Sequence, residues 1–266
     1  MNKLVEAISK CVKPHAKPCM NISGGIDSTI VLHHLSEKSQ ENIYTYTVGF
    51  KGQPTEFTPA RKVADYYGTR HKEIFIENML DTYPQILKFF PYPRFNLWPY
   101  WTARQAKEDG RLNAYIGEGG DEHFGGYWYK PHASYIEHWA GFLTYVLPTY
   151  RTIYDHFGMN LNVPMHPSSL DFKVTLPFYD EQQEKSLLRR AYKGLLPDFV
   201  LKRRKLNGRK DYWVMWQQEL KPYFPTEQPK SEDDIRYLWN IFVTKEWLRS
   251  HPCIVETDRQ KMVATH

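Results

Sequence analysis

The stretch MNISGGIDSTIVLHHL, Met20 to Leu35, places Ser-Gly-Gly-Ile-Asp-Ser between a short apolar run and an amphipathic one. PCMNI before it reads as a strand. After it, Ile30, Val31, Leu32 and Leu35 supply the apolar face of a helix from about Asp27 to Glu37. A glycine turn that leaves a strand and enters a helix presents unpaired backbone N–H groups at the positive end of the helix. Gly24 and Gly25 let that backbone approach a phosphate, and Ser23 and Ser28 add hydroxyl donors. Asp27 would repel a phosphate unless a cation lay between them, so the turn reads as a pyrophosphate-plus-magnesium site. The plain alternative is a Gly-Gly turn with Asp27 or Ser28 as helix N-cap. A Walker A loop is excluded, because no Lys-Ser or Lys-Thr follows the glycines.

Working outward, the alternation continues. NIYTYTVGF, closed by Gly49, reads as a second strand; EFTPARKVADYYG as a helix stopping at Gly68; HKEIFIE as a third strand. Helical text around Met79 to Phe90 and Tyr100 to Asp109 precedes a last expected strand at NAYIG. This order predicts parallel strands joined by right-handed crossovers, hence an α/β fold. After about Tyr135 strand signals fade and helical segments dominate, up to a closing helix in IRYLWNIFVTKEWLRSH behind the linker-like FPTEQPKSEDD. The expected organisation is an α/β nucleotide-binding core over residues 1–135 and a helical part over 136–266 that completes the active site, the two forming one compact unit.

The bulk properties agree with a chain that folds on its own. A chain of 266 residues with 41% hydrophobic and 15% aromatic content builds a substantial core. The charged opening MNKLVEAISK lacks the apolar stretch of a signal peptide, and WAGFLTYVLP is too short to span a bilayer, so a soluble cytoplasmic protein with no membrane partner is expected. Cys11, Cys19 and Cys253 lack paired zinc spacing and suit a reducing compartment. The net charge of +5 is mild, and the basic run LKRRKLNGRK reads on its own as a solvated face. His33 and His34 diverge around their helix and read as surface residues rather than metal ligands.

A second glycine segment, NAYIGEGGDEHFGGYWY, repeats the first design: Gly117, Gly119 and Gly120, then Asp121 and Glu122 opening a helix. SGGIDS with GEGGDEHFGGY resembles the synthetase domain of asparagine synthetase, of the ATP-pyrophosphatase (PP-loop) group. Also similar to that family are YTVGF with the helix and strand after it, TLPFYD, LLRRAYKGLLPDFVLKRRK and LWNIFVTKEWLR. The resemblance implies a PP-loop fold and an enzyme that activates a carboxylate with ATP as an acyl-adenylate, for attack by ammonia or an amine. It assigns pyrophosphate contacts to Ser23, Gly24, Gly25, Asp27 and Ser28, adenosine contacts to Asn21, Val48, Ile116 and Gly117, and magnesium to Asp27 and Asp121. Glu118 matches the active-site glutamate and Lys205 the catalytic lysine.

The departures set further expectations. Family members with a glutaminase domain carry a nucleophilic cysteine after the initiator methionine, whereas residue 2 here is Asn2, so ammonia is expected from solvent, from a separate glutaminase, or as an amine on a substrate. Where the family has an acidic substrate segment, this chain has PYPRFNLWPYW, and the chain is shorter than the family norm between Asp180 and Lys185. Arg94, Trp98, Tyr100 and Trp101 therefore read either as lining for a larger carboxylate or as core aromatics, and aspartate as substrate is in question. Two rival readings are a PP-loop enzyme adenylating a nucleic-acid base, which predicts an RNA-binding extension, and a non-catalytic nucleotide-binding protein, which predicts loss of the acidic residues or the lysine. Neither prediction matches the sequence, and nucleic acid is not an expected partner.

Overall fold

The computed structural model describes residues 2–52, 54–126, 135–170, 185–204 and 210–252. In chain order, α1 (Lys3–Cys11) leads into β1 (Pro18–Asn21), followed by α2 (Ile26–Lys38), β2 (Tyr44–Gly49), α3 (Pro54–Tyr67) and β3 (Arg70–Phe75). Next come α4 (Met79–Leu87), α5 (Pro99–Glu108), β4 (Asn113–Tyr115), α6 (Gly120–Phe124), α7 (Tyr135–Gly141), a π-helical turn Phe142–Val146, α8 (Leu147–His156) and β5 (Asn160–Asn162). The described remainder is helical: α9 (Ser186–Ala191), α10 (Asp198–Leu201), α11 (Lys210–Met215), a second π-helical turn Trp216–Leu220, α12 (Lys221–Tyr223) and α13 (Glu232–Ser250). No helix among the described residues is long and apolar enough to cross a membrane.

The strands form one sheet in the order β3-β2-β1-β4-β5, with β1 parallel to both β2 and β4 and β4 parallel to β5. The α/β expectation thus holds. Strand order runs outward from β1 to β3 and then returns to β4 on the other side of β1. The carboxyl ends of β1 and β4 therefore flank a switch point, where parallel sheets open a ligand crevice.

Two expectations are corrected. NAYIG is not the last strand, because β5 pairs with β4 in the register Asn113↔Asn160 to Tyr115↔Asn162. Its Asn-Leu-Asn sequence has no β-branched or aromatic residue, and amide side chains reinforce the edge instead: Asn160 Nδ2 donates to Asn113 Oδ1 at 3.1 Å and Asn162 Nδ2 to the Ala114 carbonyl at 3.2 Å. The second correction concerns His33 and His34, which are not surface residues. Helix α2 is covered on nearly every side, with Ile26, Ser28, Thr29, Ile30, Val31, Leu32, His34 and Leu35 all buried, so no polar face remains to hold the histidines in water.

The chain clusters into two compact units with interleaved segments. The first, residues 1–49, 54–74 and 101–206, contains the sheet. Its core joins Met20 and Ile22 at β1 to Ile30 and Leu32 of α2, Val63 and Ala64 of α3, Leu188 of α9, and Tyr192 and Val200.

The second unit comprises residues 50–53, 75–100 and 207–266. There α4 packs on α13, with the Tyr83 and Trp239 rings 4.5 Å apart, edge to face. Trp239 and Trp247 satisfy their indole N–H groups on the Phe95 and Phe90 carbonyls at 3.0 and 2.9 Å. Ser231 opens α13 with a capping box closed by Asp234. Arg94 is buried, its guanidinium 4.9 Å from the Tyr92 ring centroid, and Trp98 meets the Phe50 and Tyr83 rings. Within this unit Arg94 and Trp98 are packing residues. Trp101, in the first unit, is also buried.

Candidate active site

The first glycine loop leaves β1 at the switch point and enters α2. Gly24 has φ +69°, and a Cβ there would meet the Pro59 backbone of α3 at 2.5 Å, so both conformation and space demand glycine. The N-cap of α2 is Gly25, which has no side chain to cap the first turn. Asp27 and Ser28 are the second and third residues of the helix and do not cap it. Ser28 Oγ donates to the Gly25 carbonyl at 3.3 Å, as does Thr29 Oγ1 at 2.7 Å, while the Gly25 N–H donates to Ser23 Oγ at 3.3 Å. These bonds shape the turn and leave the helix start without a side-chain cap, suited to an anion.

The second glycine loop leaves β4 directly against the first. A Cβ at Gly117 would lie 2.6 Å from the Ser28 nitrogen, so glycine is what permits the two loops to touch. This contact puts Asp121, in the first turn of α6, opposite Asp27. Between them stands a residue for which the sequence carries no motif: Lys185, the N-cap of α9, whose ammonium pairs with both Asp27 and Asp121. The lysine side chain is 3% exposed and the two aspartates 20% and 18%. Burial alone pushes the Lys185 pKa down, but the charges and hydrogen bonds of Asp121 and Asp27 outweigh it and hold the amine protonated above the ordinary lysine range. Two carboxylates that converge from facing loops on one positive charge, with oxygen donors only, form a set that fits magnesium.

The other predicted residues take these positions. Asn21, Val48 and Ile116 lie at the carboxyl ends of β1, β2 and β4, and Asn21 hydrogen-bonds the Tyr154 hydroxyl. The Ile22 N–H donates to Tyr46 O at 2.9 Å and Thr47 Oγ1 to Ile22 O at 2.6 Å, which fixes the strand ends side by side. Glu118 accepts from the Tyr150 hydroxyl at 3.1 Å. Burial, then the charge of Glu118, pushes the Tyr150 pKa well up, so the phenol stays a donor. Lys205 and TLPFYD lie outside the described residues. The basic run still reaches the site through a residue the sequence did not single out: Arg203 Nη1 donates to the Ser23 carbonyl at 3.2 Å. A guanidinium on the carbonyl of the phosphate loop is a different use of that run from the solvated face its composition implies.

Comparison with known proteins gives the family of the chain. The asparagine synthase family model matches residues 2–182. Asparagine synthetase (glutamine-hydrolyzing) 3 of Arabidopsis thaliana is 26% identical over 245 residues, which cover 82% of this chain and 40% of that protein. Asparagine synthetase B (glutamine-hydrolyzing) of Escherichia coli K12 is 24% identical over 286 residues, covering 92% of this chain and 51% of that protein. The chain thus spans about half the length, or less, of these curated relatives. An NH3-dependent NAD synthetase from Campylobacter jejuni is similar with a TM-score of 0.40 and 14% identity, covering 92% of this chain and 93% of that one. Since the matched span includes both glycine loops and the strands that carry them, the chain belongs to the asparagine synthase family.

Proposed function

We propose that this protein is an ATP-dependent carbon–nitrogen ligase that activates a carboxylate as an acyl-adenylate, releasing pyrophosphate, and passes the acyl group to ammonia or an amine with loss of AMP. The observation that supports this most directly is the convergence of Asp27 and Asp121 on the buried Lys185 ammonium beside the uncapped start of α2. Such a place suits a polyanionic leaving group. Backbone N–H groups of the first loop, with Ser23 and Ser28, bind the pyrophosphate, and Lys185 offers a fixed positive charge as negative charge moves onto it. Asp27 and Asp121 would hold magnesium, which when bound neutralises phosphate oxygens. Asn21, Val48, Ile116 and Gly117 receive the adenosine. Glu118, held by Tyr150, takes the proton from the attacking amine, and Lys205, matched to the family's catalytic lysine, adds charge at the transferred phosphoryl group. Ammonia reaches the site from solvent or from a separate glutaminase.

The test is a screen of carboxylic acids with ammonium or simple amines, read as magnesium-dependent release of AMP and pyrophosphate. Asp27→Asn and Asp121→Asn are each expected to lower the rate about a hundredfold or more, the cost of one lost electrostatic partner in a transition state. Products of ADP and orthophosphate would overturn the reading, and so would acid-independent but RNA-dependent turnover.

A further inference from the structure

Helix α2 carries a second group of chemistry-bearing side chains at its other end. His34 Nδ1 lies 3.2 Å from Glu37 Oε2 and His33 Nε2 lies 3.5 Å from Glu37 Oε1. One donor atom from each of the three residues falls within 4.8 Å of the others. Donors about 2.0–2.1 Å from a tetrahedral zinc ion are separated by roughly 3.4 Å, and the two imidazole-to-carboxylate spacings, each to a different Glu37 oxygen, are of that size.

An ordinary ion pair explains these contacts less well. The His33 and His34 side chains are only 12% and 3% exposed. Glu37 faces the two rings and pairs with no lysine or arginine among the described residues. The ammonium of Lys38, next in sequence, is engaged by the carbonyls of Ser9 and Val12.

Two further observations point to a ligand. His34 Nε2 lies 2.8 Å from the Tyr192 hydroxyl, a partner on the far nitrogen of the kind that orients a metal-bound imidazole. The Tyr67 ring stands edge-on to His33, and its hydroxyl is buried with no hydrogen-bond partner. A buried phenol left unpaired is costly, and a water molecule on a four-coordinate ion is a partner of the right kind. Glu37, 53% exposed, gives an ion access from solvent.

We propose that His33 Nε2, His34 Nδ1 and the Glu37 carboxylate bind one divalent transition-metal ion of the zinc class, with Tyr67 facing a water in the fourth position. The site is structural. Tyr192 closes α9 and Lys185 opens it, so the ion braces at one end of α2 the same two helices that the Asp27–Lys185 pair joins at the other.

The experiment uses the full chain, stripped of metal and titrated with cobalt(II) and then zinc in excess magnesium, which occupies carboxylate-only sites. Expected are one equivalent of cobalt with the visible absorption of a tetrahedral nitrogen–oxygen site, its displacement by zinc, and a rise in melting temperature on zinc binding. Glu37→Gln and His33→Ala should each weaken binding at least tenfold, whereas Asp27→Asn should leave it unchanged. Because Glu37 is exposed, its variant tests the site without disturbing the core. The proposal is overturned if no tetrahedral cobalt spectrum forms, or if the spectrum survives Glu37→Gln and His33→Ala alike.

Discussion

A buried ammonium between two carboxylates is stable only while all three charges are present, because removing one leaves the others uncompensated in a poorly solvated place. Lys185→Met should therefore have two effects: turnover falls about a hundredfold, and magnesium raises the melting temperature more than in the parent, since the ion then relieves repulsion between Asp27 and Asp121. Parallel magnesium shifts would mean that the lysine does not hold the carboxylates together. Glu118 is argued differently. Glu118→Gln removes the base but not the adenylation machinery, so carboxylate-dependent exchange of labelled pyrophosphate into ATP should persist while amide formation falls; Tyr150→Phe should shift the pH profile of amide formation without abolishing it. Away from the site, burial pushes the His71 imidazole below its usual value, opposed by Glu73, while its Nδ1 lies 3.0 Å from Thr45 Oγ1. A lowered folded-state pKa contributes stability above about pH 6.5, the unfolded value, that is lost as pH falls through the folded value. Melting curves from pH 7.5 to 5 should thus fall less steeply for His71→Asn than for the parent. Legibility varies at this scale. Gly24, Gly25, Asp27 and Asp121 are readable because their meaning lies in neighbours along the chain. Lys185 and Arg203 are not, since each acts across more than 150 positions of sequence on a loop it meets only in the fold.

Among the elements, strands with β-branched or aromatic residues announce themselves, as β2 does with Tyr44, Thr45, Tyr46, Thr47 and Val48. The three-residue β5 does not, because its pairing is stabilised by amide side chains and by the neighbour it lies against rather than by propensity. Helix α2 shows the same limit from the other side. Its apolar spacing gives the helix correctly, but a helix buried all round has no polar stripe, and only the packing of α3, α9 and the sheet reveals that the histidines are inside. The contact between the glycine loops is also an element-scale property, and it yields a test. Gly117→Ala must push the second loop off Ser28, at a cost typical of overpacking, about 1–3 kcal/mol, and it should weaken nucleotide-dependent stabilisation more than the melting temperature of the free protein. Equal losses in both would place Gly117 among ordinary packing positions.

At the scale of the whole molecule, the second compact unit is assembled from segments that alternate with those of the first in sequence. Its middle segment buries Tyr83, Ile86 and Leu87 of α4, and the surface that covers this helix comes largely from α13, more than a hundred residues later. The alternating strand and helix text of the first half therefore contains a helix whose apolar face has no local partner, and division of the chain by changes in secondary-structure pattern cannot detect that dependence. A chain ending at Leu206 tests it. Such a chain retains both glycine loops, Lys185, Arg203 and Lys205, but leaves α4 without Trp239 and Trp247, whose indoles donate to the Phe95 and Phe90 carbonyls. The exposed face should bind a hydrophobic dye and drive association, while magnesium still protects the first unit against proteolysis through Asp27 and Asp121. A monomeric, dye-free fragment would show that α4 buries its face without α13. A milder variant probes the same dependence in the intact chain: Ser231→Ala removes the side chain that caps α13 and should cost about 1 kcal/mol, with the loss expressed first in proteolysis of the second unit rather than the first.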